Sequence, residues 1–180
     1  RRQRQMCIRD RKAPGRRTRR KKMVDFKADE RLNTLNHSCA HVMAQAVKHL
    51  YPEAKFWVGP VVKEGFYYDI DLGENAVNDD VIAAIEKEMK KIVKEALPIE
   101  RFTKTREEAI AYFKEKEEPY KVELIEDLPE DAEISFYQQG EFVDLCAGPH
   151  LMSTKPIKAF KLTSLAGAYW RGSEKNKMLT

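Results

Sequence analysis

No apolar run in this sequence approaches the ~20 residues that a bilayer-spanning helix needs. Its basic start is not followed by the short apolar core of a signal peptide. A cytoplasmic protein with no membrane partner is the expectation. Cysteine is scarce and odd in number, three in 180 residues, and Cys7 lies in the basic start. Cys39 and Cys146 alone make no disulfide framework, so a reducing compartment is expected. There is no internal repeat, which argues against a solenoid. Histidine is also rare, with four in the chain, yet three of the four fall into two tight clusters.

The formal net charge of +4 hides two unlike parts. Residues 1–22 carry twelve Lys or Arg against the single acid Asp10, and the remaining residues hold 21 basic and 28 acidic side chains. The body is therefore acidic, and an argument for nucleic-acid binding from the basic pI would rest on the start alone. Gln5-Met6-Cys7-Ile8-Arg9-Asp10-Arg11 resembles a translated sequencing adaptor, which makes 1–22 a non-native or disordered tail and Met23 the natural start. The alternative is a basic arm that binds RNA.

The two clusters are His37-Ser38-Cys39-Ala40-His41 and Asp144-Leu145-Cys146-Ala147-Gly148-Pro149-His150. Histidines at i and i+4 of a helix share one face, with Cβ atoms roughly 5–6 Å apart. Gly148 and Pro149 forbid regular helix, so the second cluster reads as a loop or strand end. If the fold joins them, nitrogen and sulfur groups converge as in a metal site or a general-base hydrolytic site. Without that junction, a satisfied histidine at the core edge is the ordinary reading.

Apolar periodicity through Leu35, Cys39, Val42, Met43, Ala46, Val47 and Leu50 predicts a helix over 29–51, capped by Asp29 or Thr34 and ended by Pro52. Residues 56–62 read as a strand and 66–71 as its hairpin partner, with Tyr67 and Tyr68 on opposite faces. A second helix spans 78–97, with Glu86 and Glu88 on a wet, lysine-paired face. A strand follows at 99–104, then a helix from Thr105 to Phe113 that opens with a capping box. Residues 119–125 fit a helix start or a strand equally. Strands are expected at 133–137 and 141–145, joined by Gln138-Gln139-Gly140, and again at 160–163 and 168–171. This order argues for an α+β fold, a two-layer sheet-and-helix domain.

With both clusters placed, the chain resembles the editing domain of bacterial-type threonyl-tRNA synthetase, which alanyl-tRNA synthetase and free-standing trans-editing proteins share. The resemblance covers about residues 28–180. It rests on His-Ser-Cys-Ala-His at 37–41, the HxxxH motif, with Val-Gly-Pro-Val-Val at 58–62 and Gly-Phe-Tyr-Tyr-Asp-Ile-Asp-Leu at 65–72. Pro-Tyr-Lys-Val at 119–122, Asp-Leu-Cys-Ala-Gly-Pro-His at 144–150 and the run from Lys161 to Leu179 extend it. Within the family, Ala166-Gly167-Ala168-Tyr169-Trp170-Arg171-Gly172 looks threonyl and resembles the passage into the ligase core. The division implied is an editing domain over 23–158, with 159–180 its end and the start of a junction. A class II catalytic domain that binds ATP and zinc would follow, and the parent enzyme would dimerise through domains absent here. On that view the chain is a fragment.

The resemblance also implies chemistry: hydrolysis of the ester joining serine to the 3′ end of tRNA(Thr), with the CCA end as partner. A pocket for threonine rejects serine by one missing methyl, worth only ~1–3 kcal/mol, so a second selection is needed. By the same resemblance, His37 binds the 3′ ribose or activates the water, with His41 beside it. Lys121 lies near the ester or oxyanion, and Asp144 orients a histidine or the seryl amino group. Tyr68 contacts substrate, and Cys146 and His150 complete the wall. No cofactor is expected for this reaction. His37, His41, Cys146 and His150 are nonetheless acceptable zinc ligands, and if all four bound the site would be closed. A nucleophilic Cys146 is a minor alternative. The competing functions are a zinc-stabilised RNA-binding module without catalysis and a free-standing trans-editing deacylase.

Overall fold

Asp29 opens the first helix by accepting hydrogen bonds from the backbone N–H groups of Arg31 and Leu32 at 3.0 Å. Thr34, the other candidate cap, instead donates its hydroxyl to the Glu30 carbonyl. The helix, α1, runs over Glu30–Leu50. The computed structural model describes residues 24–73, 78–169, 171 and 173–180. The basic start 1–22, with Cys7, lies outside them. The buried face of α1 holds the expected apolar stripe up to Val47 and also three polar side chains, Ser38, His41 and Gln45, whereas Leu50, expected on the stripe, is exposed at the helix end.

The strand expected over 56–62 is split. Lys55–Phe56 (β1) and Val61–Val62 (β2) flank the Gly59-Pro60 interruption, and Gly65–Phe66 (β3) and Ile70–Asp71 (β4) pair back with them antiparallel. Pairing persists across the break through Trp57 N–H to Asp69 O and Asp69 N–H to Val58 O. Pro60 supplies no ladder donor. Tyr67 and Tyr68 do face opposite ways: Tyr67 is 47% exposed and Tyr68 6%. The ring of Tyr68 lies directly on the backbone of Gly59.

Asn78 caps α2, Asp79–Glu95, through a bond from Val81 N–H. Ile85, Met89 and Ile92 are buried, and Lys91 pairs with Glu88 as expected of a wet face. Glu86 departs from that expectation. It is buried, and it accepts the Leu162 N–H at 2.8 Å and pairs with Lys161 at 3.0 Å. This side chain takes the Leu162 donor that a neighbouring strand would have used, and 160–163 does not form the expected strand.

Ile99–Lys104 (β5), Ile134–Gln139 (β6) and Phe142–Leu145 (β7) form an antiparallel sheet in the order β5-β6-β7. The β6–β7 turn is centred on Gly140, in left-handed backbone at φ +61°, and Glu141. Gln139, expected in the turn, is a buried strand residue. Between β5 and β6 lie α3, Arg106–Glu115, with the Thr105–Glu108 capping box in place, and α4, Pro119–Glu126. The ambiguous 119–125 segment is therefore helical, and its proline sits where a missing N–H costs nothing. Ala168–Tyr169 (β8) pairs with Met178–Leu179 (β9), and Thr180 exchanges both backbone hydrogen bonds with Ile70 of β4.

The architecture is α+β. One apolar cluster joins α1, α2 and the β1–β4 pair around Phe56, Ile70, Met89 and Ile92. A second joins α3 and α4 to the three-stranded sheet around Phe113, Ile125 and Phe136. Among the described residues no helix is long and apolar enough to cross a membrane. A Cβ at Gly59 would stand 2.4 Å from the Tyr68 ring. Gly59→Ala should therefore cost about 1–3 kcal/mol by overpacking, read as a lower urea midpoint with an unchanged m-value.

Candidate active site

Four elements meet at the site. Helix α1 contributes His37, Ser38 and His41, the β3–β4 connection contributes Tyr68, α4 contributes Lys121, and β7 with the loop after it contributes Asp144, Cys146 and His150. The two sequence clusters, more than a hundred residues apart, are in direct contact. Cys146 Sγ lies 3.2 Å from His37 Nε2 and 3.2 Å from His150 Nε2. The His150 ring stands 4.1 Å, centroid to centroid, from both His37 and His41.

Beside the imidazoles is a buried polar triad. Lys121 Nζ is 2.7 Å from Asp144 Oδ1 and 3.1 Å from the Tyr68 hydroxyl. Tyr68 donates to Asp144 Oδ2, which also lies 3.6 Å from His41 Nε2. Both ends of the Lys121–Asp144 pair are only 4% exposed. Burial works against the charged Asp144 carboxylate, but Lys121, His41 and the bonds from Lys121 and Tyr68 outweigh it and hold its pKa below the usual value. Burial pushes Tyr68 well above the ordinary phenol range.

The imidazoles move the other way. Burial lowers His41 to about 4, only partly countered by Asp144 and reinforced by His37 and Lys121. Burial also lowers His37, against an opposing hydrogen bond that its ring N–H donates to the Pro149 carbonyl, and lowers His150 with help from the two neighbouring rings. At neutral pH all three are uncharged. Burial raises Cys146 to about 12 despite the Gly148 N–H donated to its sulfur, so its thiol stays protonated. Cys39 and Cys146 are both free.

Two cavities border the Lys121–Asp144–Tyr68 group, and neither is lined by His37, His41, Cys146 or His150. One of about 340 Å³ has Lys121, Asp144 and Glu118 in its wall together with Phe56 and Phe142. The other, about 670 Å³, is mostly apolar and touches Cys39 and Tyr68 between α1 and the 159–166 segment.

Residues 134–180 match the threonyl and alanyl tRNA synthetase second additional domain. The chain is 64% identical over 146 residues to the threonine–tRNA ligase of Clostridium acetobutylicum, covering 81% of this chain and 23% of that protein. It is 60% identical over 158 residues to that of Carboxydothermus hydrogenoformans, covering 88% and 25%. Against the Syntrophomonas wolfei threonine–tRNA ligase it is 60% identical over 157 residues, covering 87% and 25%. Residues 134–180 thus carry the second additional domain, and most of the chain is similar in sequence to threonine–tRNA ligases. It spans about a quarter of the length of these curated relatives.

The four donors suit a metal. One ligand atom each from His37, His41, Cys146 and His150 lies within 4.8 Å of all the others. Zinc at 2.0–2.3 Å from nitrogen and sulfur spaces its ligands roughly 3.3–3.8 Å apart, so closure needs a contraction of up to about 1.5 Å. Outer partners that orient metal-binding histidines are also present. Ser38 Oγ lies 3.1 Å from His150 Nδ1 and accepts the Leu151 N–H, and the Pro149 backbone bonds His37. Ser38 was not singled out by sequence, although it sits inside the first motif. Glu118 was missed too, because its partners are distant in the chain.

His41 titrates lower in the folded state than in the unfolded chain, where an ordinary value of about 6.5 holds. Between about 6.5 and 4 the unfolded state therefore binds more protons, and stability falls as pH falls. Chemical denaturation at pH 7.5, 6 and 5 should show this loss, and His41→Asn should flatten the slope. An unchanged slope would remove His41 from the account.

Proposed function

We propose that this domain hydrolyses the ester joining serine to the 3′ end of tRNA(Thr), proofreading for a threonine–tRNA ligase. The observation that carries the reading is the buried Lys121–Asp144 pair set against a group of uncharged imidazoles. A structural zinc module needs no such pair. The family and the relatives' names supply tRNA as the partner class. On this reading the domain works in the cytoplasm, and ATP use, a catalytic zinc and dimerisation belong to the remainder of the ligase.

An ester hydrolase needs a water, a proton acceptor and a donor for the developing oxyanion. His37 is partly exposed and uncharged at neutral pH, so it accepts the proton of the attacking water. Lys121, fixed by Asp144 and by the Tyr68 oxygen, donates to the carbonyl oxygen as it becomes negative, while Tyr68 keeps its one hydroxyl proton on Asp144. The tetrahedral intermediate collapses, the 3′ hydroxyl leaves with the proton returned by His37, and serine is freed. His41 and His150 pack around this base. The raised Cys146 thiol disfavours a thiolate attack.

Zinc at His37, His41, Cys146 and His150 would supply a structural tie, since four protein ligands leave no open position for water. The proposed chemistry does not use it. One equivalent of zinc in gently purified protein, with serine release lost on chelation, would replace this mechanism by a metal-dependent one.

His37→Ala, Lys121→Met and Asp144→Asn should each lower serine release from Ser-tRNA(Thr) by about 10²-fold or more, while Thr-tRNA(Thr) stays intact. Normal turnover in all three would end the proposal. The acid limb of the rate profile should lie below pH 6.5, since burial lowers His37. A limb at or above that value would exclude His37 as the base.

A further inference from the structure

We infer that Glu118 is a positioning residue for Lys121, a role that rests on the proposed hydrolytic reading. Glu118 stands at the start of α4, three residues before Lys121. It does not cap the helix with its side chain. The carboxylate turns away and is buried, 7% exposed. Oε2 accepts the Phe56 N–H of β1 at 3.0 Å, and Oε1 accepts Lys48 Nζ of α1 at 2.8 Å. The Glu118 carbonyl meanwhile receives the backbone N–H groups of Lys121 at 3.1 Å and Val122 at 3.2 Å. One residue thus ties β1 and α1 to the turn that carries the lysine.

This tie matters because packing does not hold Lys121 on that side. The 340 Å³ cavity borders Glu118, Lys121 and Asp144 together. A close-packed side chain is fixed by its neighbours, but one that faces a cavity is fixed by its backbone and its polar partners. Lys121 also sits in the first turn of a helix, where the dipole disfavours a cation. Its location there depends on Asp144 ahead of it and on the anchored backbone behind it. Tyr120 adds a second anchor by donating to Asp71 of β4 at 3.0 Å. A misplacement of the reacting group by about 1 Å costs up to 10²-fold in rate, and Glu118 is the residue whose loss frees α4 to make that shift.

The experiment compares Glu118→Ala and Glu118→Gln with wild type in two readouts. The first is serine release from Ser-tRNA(Thr), at a temperature where circular dichroism shows every variant folded. Glu118→Ala should lower kcat about ten- to a hundredfold with KM within about threefold. Glu118→Gln keeps an acceptor for the Phe56 N–H and should recover much of the loss. An α2 variant with a matched fall in melting temperature, Ile92→Val, should leave kcat unchanged. The second readout needs no activity: the 15Nζ signal of Lys121, held by Asp144 and Tyr68 in wild type, should broaden or move in Glu118→Ala. Unchanged kcat together with an unmoved Lys121 signal overturns the role. A wild type that releases no serine, with a Lys121 signal that responds to Glu118→Ala, ends the hydrolase reading and leaves the anchoring role standing.

Discussion

The contact between Lys121 and Asp144 is the constraint on which the site depends. Two opposite charges are withdrawn from water at 2.7 Å. Removing one partner of such a pair leaves a buried charge uncompensated, at a cost of about 3–5 kcal/mol. Asp144 also links the two apolar clusters, since α4 packs in one, Tyr68 and His41, which touch the same carboxylate, belong to elements of the other, and β7 contributes to both. Asp144 therefore fixes the lysine, the phenol and the nearest imidazole relative to one another. Such prior alignment is what a hydrolytic site needs before substrate arrives.

The neighbouring His/Cys group has a double character. The three rings among the donors that suit a metal also form a neutral, desolvated set, because burial lowers the proton affinity of each, helped at His41 by His37 and at His150 by both other rings. Ser38 and the Pro149 backbone hold two of the rings in orientation. Such orientation serves a ligand and a general base equally. The residues that separate the two uses are Lys121 and Tyr68, which a metal would not recruit.

Much of this was legible from local pattern. The i, i+4 histidines on an apolar stripe and the Cys146–His150 loop are unusual combinations of rare residues, and α1, α2, α3 and the β6–β7 hairpin follow from caps, periodicity and turns, whereas the pattern of α4 fits helix and strand equally. Lys121 and Tyr68 were reached through family resemblance alone, since one lysine in a lysine-rich chain carries no local signal. Glu118 and Ser38 were invisible because their meaning lies in partners 62 and 112 residues away. Glu86 was misread for a related reason: helical spacing places it among lysines, and only the path of 160–162 across α2 shows that it is covered.

The exchange of backbone bonds between Thr180 and Ile70 has a mechanical corollary. Ile70 lies two residues beyond Tyr68, and Lys177 grips the adjacent Asp71, which in turn receives the Tyr120 hydroxyl next to Lys121. Tension drawn along β9 would arrive at both the phenol and the ammonium of the site within a few bonds. The candidate site is thereby wired to whatever load the last strand carries.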